Sequence, residues 1–418
     1  MTAVAETSPP QFMRKAPVPE IPETLLSAFE SIPELPAASA VRSAAWKSFF
    51  DRGLPRTNDE DYSFTSISEI KSLLSRNPQS SDLDSQSGFQ FQTVTGIEAF
   101  SLNSSSTPEA LVSAWKNAAV EEQDVASSLA MALSPQLNAL RLKAGTHLEQ
   151  PFPIVCKSNG ERTDAALFFR FEAGSSAKVT FDSAPLAPVG GMGGGYLNAS
   201  AVFRLGANAE LDFAQIDPAE GAQTLKLHFI LEKGAKLRFL SSSTGSRFQR
   251  LAVEVDLLDP DAEVDLRGAA VIGGSNRCHR HILIHHHAPD CVSRQLFKAV
   301  VLGSGRSSVD GTVIVDRGAQ HTDAKQLLRH LMLSKEGRAD SKPRLFIHAD
   351  DVKCGHGATV GKMDADQLFY LRSRGLDMES ANSLLTHAFL GEALDASALT
   401  DFREAARIRL LTALEQKS

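Results

Sequence analysis

The feature that most constrains the fold is a short phrase that recurs in the middle of the chain. A turn residue leads to Ala, then charged or polar, apolar, polar and apolar residues follow. It reads Gly174…Ala177-Lys178-Val179-Thr180-Phe181, then Gly206…Ala209-Glu210-Leu211-Asp212-Phe213. It returns as Gly234-Ala235-Lys236-Leu237-Arg238-Phe239 and Asp259…Ala262-Glu263-Val264-Asp265-Leu266. The alanines stand 32, 26 and 27 residues apart, and each interval has room for a second strand such as Leu225–Leu231 or Leu251–Leu257. Two-residue alternation marks strands with one buried face. Strands repeating at a nearly constant interval fit a β-solenoid, in which each coil buries its apolar face on the next. A β-sandwich of hairpins uses the same alternation, so the pattern alone leaves both open.

This β region runs from about Pro151 to residue 360, and helical spacing flanks it. Upstream, Leu25, Leu26, Phe29 and Ile32, then Ala44, Ala45, Trp46, Phe49 and Phe50, recur every three or four residues. Gly53-Leu54-Pro55 ends that pattern, because proline disfavours helix at the residue before it. Further helices are expected at Ser66–Leu74 and Pro108–Leu133, with loops or weak strands over 76–106. Downstream, Leu368, Phe369 and Leu371 precede a stop at Arg374-Gly375. Ala381, Leu384, Leu385, Ala388 and Phe389 form a helical stripe, and Leu399–Leu414 repeats the habit. The expected organisation is a disordered, proline-rich tail at 1–20, a helical domain at 21–150, a β core at 151–360 and a C-terminal helical domain at 361–418.

Composition narrows the function classes. Forty-three Lys and Arg against fifty Asp and Glu give a net charge of −7, so there is no global basic signature for nucleic acid or an anionic membrane. No apolar run approaches the roughly 18 residues of a membrane span, and the N-terminus shows no secretory pattern. Four cysteines in 418 residues make no disulfide framework, which makes a reducing cytoplasm the expected compartment.

Two segments could carry chemistry. Cys278 through His287, followed by Asp290 and Cys291, holds five of the twelve histidines. On a strand, His279, His281, His285 and His287 share one face while Ile282 and Ile284 take the other. Imidazole and thiolate bind zinc, iron and copper, but no spacing here matches a closed zinc motif. A ladder of stacked, non-ligating imidazoles is the ordinary alternative. The second segment is Asp350-Asp351-Val352-Lys353-Cys354-Gly355-His356-Gly357. In an extended chain Cys354 and His356 project to the same side, so one metal or substrate could meet both. If Lys353 lay close in space, its ammonium would lower the thiol pKa. A buried thiol in a glycine turn is the alternative. The run Gly190–Gly195 lacks the Lys-Ser/Thr of a phosphate loop and reads as a flexible connection. Cys156 reads as a small buried apolar residue, and Asp59, Glu60 and Asp61 as a helix start or a solvated turn rather than a catalytic pair.

The stretch Leu345–Gly361, continuing through Asp364 to Leu368-Phe369-Tyr370-Leu371-Arg372-Ser373-Arg374-Gly375-Leu376, resembles the SufB/SufD family of iron–sulfur cluster assembly. His286-His287-Ala288-Pro289 with Ser293 and Lys298, and Gly53-Leu54-Pro55…Asp59-Glu60-Asp61-Tyr62, are similar to further family segments. The likeness covers most of residues 40–410. Cys354-Gly355-His356-Gly357-Ala358-Thr359, and Ala388 after His387, are closer to the SufD form than to the SufB form.

The resemblance implies a right-handed parallel β-helix between N- and C-terminal helical domains. It implies a scaffold subunit without turnover of its own, which pairs with a SufB-like subunit and binds a SufC-like ABC ATPase through the C-terminal helices. Leu368, Phe369, Leu384, Leu385 and Phe389 would then face that ATPase. Cys354 and His356 would help hold a transient iron or iron–sulfur cluster shared with SufB and passed to apo-protein acceptors, with no cofactor tightly bound to the isolated chain. A homodimer is allowed when the partner is missing; nucleic acid and membrane are not expected partners. The competing reading from the residues is a stand-alone β-solenoid or cupin-like metalloenzyme using His279, His281, His285 and His287.

Overall fold

The computed structural model describes residues 21–33, 35–78, 88–104, 106–158, 161–185, 195–217, 221–395 and 399–417. The expected tail at 1–20 and the glycines at 190–194 lie outside the described residues. The N-terminal helices are α1 (Glu23–Glu30), α2 (Pro36–Arg52), α3 (Ile67–Leu74), α4 (Glu109–Glu121) and α5 (Val125–Leu133). What reads in sequence as one helix from Pro22 to Phe50 is two, because Pro33 and Pro36 interrupt the backbone ladder between them. The Pro108–Leu133 helix also divides. Asp124 caps α5 by accepting from the Ser127 N–H, and a cap residue cannot continue the preceding helix. Asp59, Glu60 and Asp61 do form a helix start: a 3-10 turn spans Glu60–Tyr62.

Among the described residues, sixteen strands then build the parallel parts of two sheets. The first sheet takes β4 (Phe152–Ser158), β6 (Ser176–Pro185), β8 (Glu210–Ile216), β10 (Lys236–Ser243), β12 (Glu263–Ile272), β14 (Val292–Val301), β16 (Asp323–Met332) and β18 (Lys353–Gly361). The second takes β3 (Leu137–Leu142), β5 (Arg162–Phe171), β7 (Tyr196–Leu205), β9 (Ala222–Leu231), β11 (Phe248–Leu257), β13 (Arg277–His286), β15 (Arg306–Val315) and β17 (Arg338–Ile347). Consecutive strands alternate between sheets, and each pairs with the strand two places on. That is the β-solenoid, and the sandwich of antiparallel hairpins is excluded. The parallel ladder reaches back to Leu137, upstream of Pro151. At the start of the solenoid, short β1 (Gly88–Phe91) and β2 (Ile97–Ser101) pair antiparallel with β4 and β3.

The alanine phrase is the corner of each coil, with one correction. The Lys236 N–H bonds the Ala209 carbonyl and the Glu263 N–H bonds the Ala235 carbonyl. The Glu210 N–H instead bonds Ser175, and Ala177 pairs with Leu211 two places along. The corner column is therefore Ser175, Ala209, Ala235, Ala262, Cys291 and Thr322, all buried. Cys291 fills the alanine slot, which explains its burial and a thiol pushed up to about 11, chiefly by desolvation. Inside the early coils, Phe169, Phe203, Phe213, Phe229 and Phe239 pack tilted or edge to face, with centroid separations of 5.1–6.3 Å between successive rings.

The C-terminal helices are α6 (Ala365–Ser373), α7 (Met378–Asp395) and α8 (Thr400–Lys417). Arg374-Gly375 does stop α6, with Gly375 at φ +97°. Leu390, Ala393 and Leu394 of α7 and Ala406, Leu410 and Leu414 of α8 pack on the outer face of the first sheet, against Leu240, Ala269, Val271 and Val300. No helix among the described residues is long and apolar enough to cross a membrane.

Candidate functional site at the last coil

The inward columns of the first sheet change character along the solenoid. Residues in one register position read Phe213, Phe239, Leu266, Gln295, Gln326 and His356. The neighbouring position reads Leu211, Leu237, Val264, Ser293, Ala324 and Cys354. An apolar interior thus becomes polar and small toward the C-terminal end. Gln326 donates to Gln295 at 3.0 Å, and His286, facing inward from the other sheet, bonds Ser293 at 2.9 Å. The column ends on a thiol and an imidazole side by side on β18.

The alternation expected from sequence thus places Cys354 and His356 on one side of one strand. Cys354 is half-buried and packs with Ala324, Val313, Val315 and Ala349; His356 is exposed. Lys353, the next residue back, projects to the opposite face and does not activate the thiol. Burial instead raises the Cys354 pKa, and the Asp323 carboxylate adds to the rise. The rise favours the neutral thiol, so a metal binding here would have to displace its proton.

β17 and β18 are the terminal strands of the two sheets, and each leaves one backbone edge unpaired among the described strands. β18 is exposed along most of its length and β17 is half-buried, and Phe346, Ile347 and Val360 stand out as exposed apolar side chains. An exposed, roughly ten-residue edge with apolar side chains is a template for pairing with another chain.

The histidine cluster divides. Ile282 and Ile284 point into the core and His279, His281 and His285 point outward, as the alternation requires. The four imidazoles do not form one ligand set. His279 bonds Ser308, and burial lowers its pKa to about 4. His281 lies 3.6 Å from Asp61 and 3.9 Å from Asp310. His285 and His287 lie together, with ring centroids 3.7 Å apart, and meet carboxylates from the neighbouring coils. Those carboxylates, Asp256 and Asp316, sit 31 and 29 residues from His287; an acidic residue recurring at the coil interval is the signal that could have found them. Burial would raise the Asp256 pKa, but hydrogen bonds from His228 and His287 hold its carboxyl well below the usual range.

The N-terminal helices are fixed to this outer face through charges. Arg250 lies over the Tyr62 ring at 4.2 Å and pairs with Asp124 at 2.6 Å; all three are buried. Lys226 bonds Glu254 and lies 3.3 Å from Glu122, and Arg344 bridges Glu60 and Asp310 at 2.7 and 3.0 Å. The segment Asp59–Tyr62 is therefore an anchor onto the solenoid.

Among the C-terminal positions, Phe369 is 74% exposed, and Tyr370 and Leu384 are about half exposed. Leu368 and Leu385 are half-buried. Phe389 packs inward, with the Lys298 ammonium 4.5 Å from its ring. Lys298 is buried and pairs with Glu392 of the same helix.

Residues 156–389 match the family profile described as "SUF system FeS cluster assembly, SufBD core domain". The chain is 26% identical over 389 residues to an iron–sulfur cluster assembly SufBD family protein of Synechocystis, covering 82% of this chain and 83% of that protein. It is 34% identical over 203 residues to the chloroplastic protein ABCI7 of Arabidopsis thaliana, spanning 48% of this chain and 43% of that one. It is 41% identical over 119 residues to the iron–sulfur cluster assembly protein SufD of Escherichia coli, 28% of each chain.

Proposed function

The chain belongs to the SufBD family of iron–sulfur cluster assembly proteins, and we propose that it is the SufD-like scaffold subunit of an assembly complex. In this reading the edges of β17 and β18 pair with a SufB-like subunit. Cys354 and His356 then lie at the junction, where the partner supplies the remaining ligands to iron or to a forming cluster. One thiolate and one imidazole cannot complete a four-ligand site, so the cargo is held jointly and passed on to apo-protein acceptors. The observation that carries the reading is that the polar end of the inward column, the thiol and the imidazole all meet at an unpaired double edge.

The ATPase belongs to a SufC-like partner docking on α6 and the outward side of α7. Phe369, Tyr370 and Leu384 support that assignment, because they are large exposed apolar side chains on α6 and α7, and α7 packs on the solenoid through other residues. The cupin-like enzyme reading is disfavoured, since His279 and His281 stand apart from His285 and His287.

The test is co-expression with SufB-like and SufC-like proteins of the same host, followed by native mass measurement and cluster reconstitution. A complex holding this chain, SufB and SufC is expected. Cys354→Ala should leave that complex intact and abolish cluster formation. Cluster yield equal to wild type in Cys354→Ala would remove Cys354 from the ligand set, and a lone chain in every preparation would refute the scaffold reading.

A further inference from the structure

The outer face of the second sheet carries a second group of metal-ligating side chains, on the opposite surface of the solenoid wall from any inward column. His285 is on β13 and His287 follows just beyond its end; two residues apart in an extended chain, they share one face. Asp256 on β11 is the register partner of His285. Asp316, just past β15, lies beside His287 through the backbone bond from the Asp316 N–H to the His286 carbonyl. Three successive coils thus deliver two imidazoles and two carboxylates to one place.

The distances are those of a ligand set. One donor atom each from Asp256, His285 and His287 lie within 4.8 Å of one another. His287 has Asp256 2.9 Å from Nε2 and Asp316 3.1 Å from Nδ1, and Asp316 also reaches His285 Nε2 at 3.0 Å. A neutral imidazole has one N–H and cannot donate to both carboxylates. Either a second proton, giving the imidazolium, or a metal on one nitrogen satisfies both contacts; the metal leaves the other nitrogen to donate to a carboxylate, the usual outer partner of a metal-bound histidine. Charge points the same way. Among the described residues, the carboxylates Glu122, Glu254, Asp256 and Asp316 lie along this surface with one ammonium, Lys226, and the His228 imidazole between them. A dication would offset that excess.

We propose that Asp256, His285 and His287 bind a divalent first-row transition cation, with Asp316 orienting the imidazoles, at a site distinct from Cys354 and His356. Two imidazoles and one carboxylate on one side of the ion suit Fe²⁺, Zn²⁺ or Co²⁺ and leave positions open to water. Asp256 is shared with His228, which bonds its other oxygen at 2.6 Å and so holds it in place.

The probe is Co²⁺, added to the full chain carrying Cys354→Ala and His356→Ala and stripped beforehand with a chelator. The result therefore does not depend on the proposed cluster-handling site. One equivalent should bind with visible absorption free of thiolate charge transfer, and Zn²⁺ should displace it. Adding His287→Gln or Asp256→Asn should weaken binding by at least about tenfold. Asp256→Asn keeps the side-chain shape and carries the test should His287→Gln fail to fold, as judged by circular dichroism. No saturable Co²⁺ binding, or equal affinity with and without Asp256→Asn, would overturn the proposal.

Discussion

His330 makes the stability of the solenoid depend on pH in a direction the structure determines. It faces inward from β16, 3% exposed, with Nε2 3.0 Å from the Ser307 hydroxyl and Nδ1 2.9 Å from that of Ser341. Burial, reinforced by the nearby Arg280 guanidinium, lowers its pKa from 6.5 to about 4. Between those values the unfolded chain takes a proton that the native chain refuses, so stability falls as the pH falls. The full shift corresponds to roughly 3 kcal/mol, of which roughly 2 kcal/mol is lost by about pH 5. Above about pH 7 the contribution is complete. His330→Gln keeps a polar group between the two serines and removes the titration. Urea unfolding followed by far-ultraviolet circular dichroism, at about pH 7.5 and about pH 5, should show wild type losing roughly 2 kcal/mol more than His330→Gln. Equal losses would mean that His330 is protonated in the native state or that the coil opens before it titrates, and either refutes the reasoning.

Other outcomes follow from packing and charge. Phe213→Ala removes a ring packed against Phe181, Phe203, Phe229 and Phe239 and should destabilise the chain by about 3–5 kcal/mol in the same unfolding assay. Asp124→Ala strands the buried Arg250 guanidinium and should cost about 3–5 kcal/mol, with limited proteolysis cutting first in the N-terminal helices. Phe369→Asp with Leu384→Asp should abolish co-purification with the SufC-like ATPase while leaving the melting temperature of the isolated chain within a few degrees of wild type, because both side chains are exposed.

Legibility in the sequence followed the range of each interaction. The shared side of Cys354 and His356 could be read directly, because strand alternation is a property of adjacent residues. So could the inward isoleucines of β13 and the stop at Arg374-Gly375. The register of the first coil could not. Ala177 looks like Ala209, yet the hydrogen bonds align Ser175 with it, since local pattern does not say how many residues a corner uses. The division of the histidines was equally hidden: Asp256 and Asp316 join His287 from the coils on either side, and their proximity depends on two complete circuits of chain. The α7 stripe Ala381, Leu384, Leu385, Ala388 and Phe389 was visible as apolar, and Ala381 and Phe389 do turn inward, but the helix meets the solenoid mainly through Leu390, Ala393 and Leu394, outside that stripe.

The two ends of the solenoid are built differently, and this limits how copies can join. At the start, β1 and β2 are four and five residues long and run antiparallel to their neighbours, which makes a poor template for another coil. At the finish, β17 and β18 offer long parallel edges. A rod with two open ends would grow head to tail into a fibre. A rod with one poor end is biased to meet another finish to finish, which covers the long edges of both copies. The short antiparallel strands thus act as a brake on chain growth, favouring pairs over fibres.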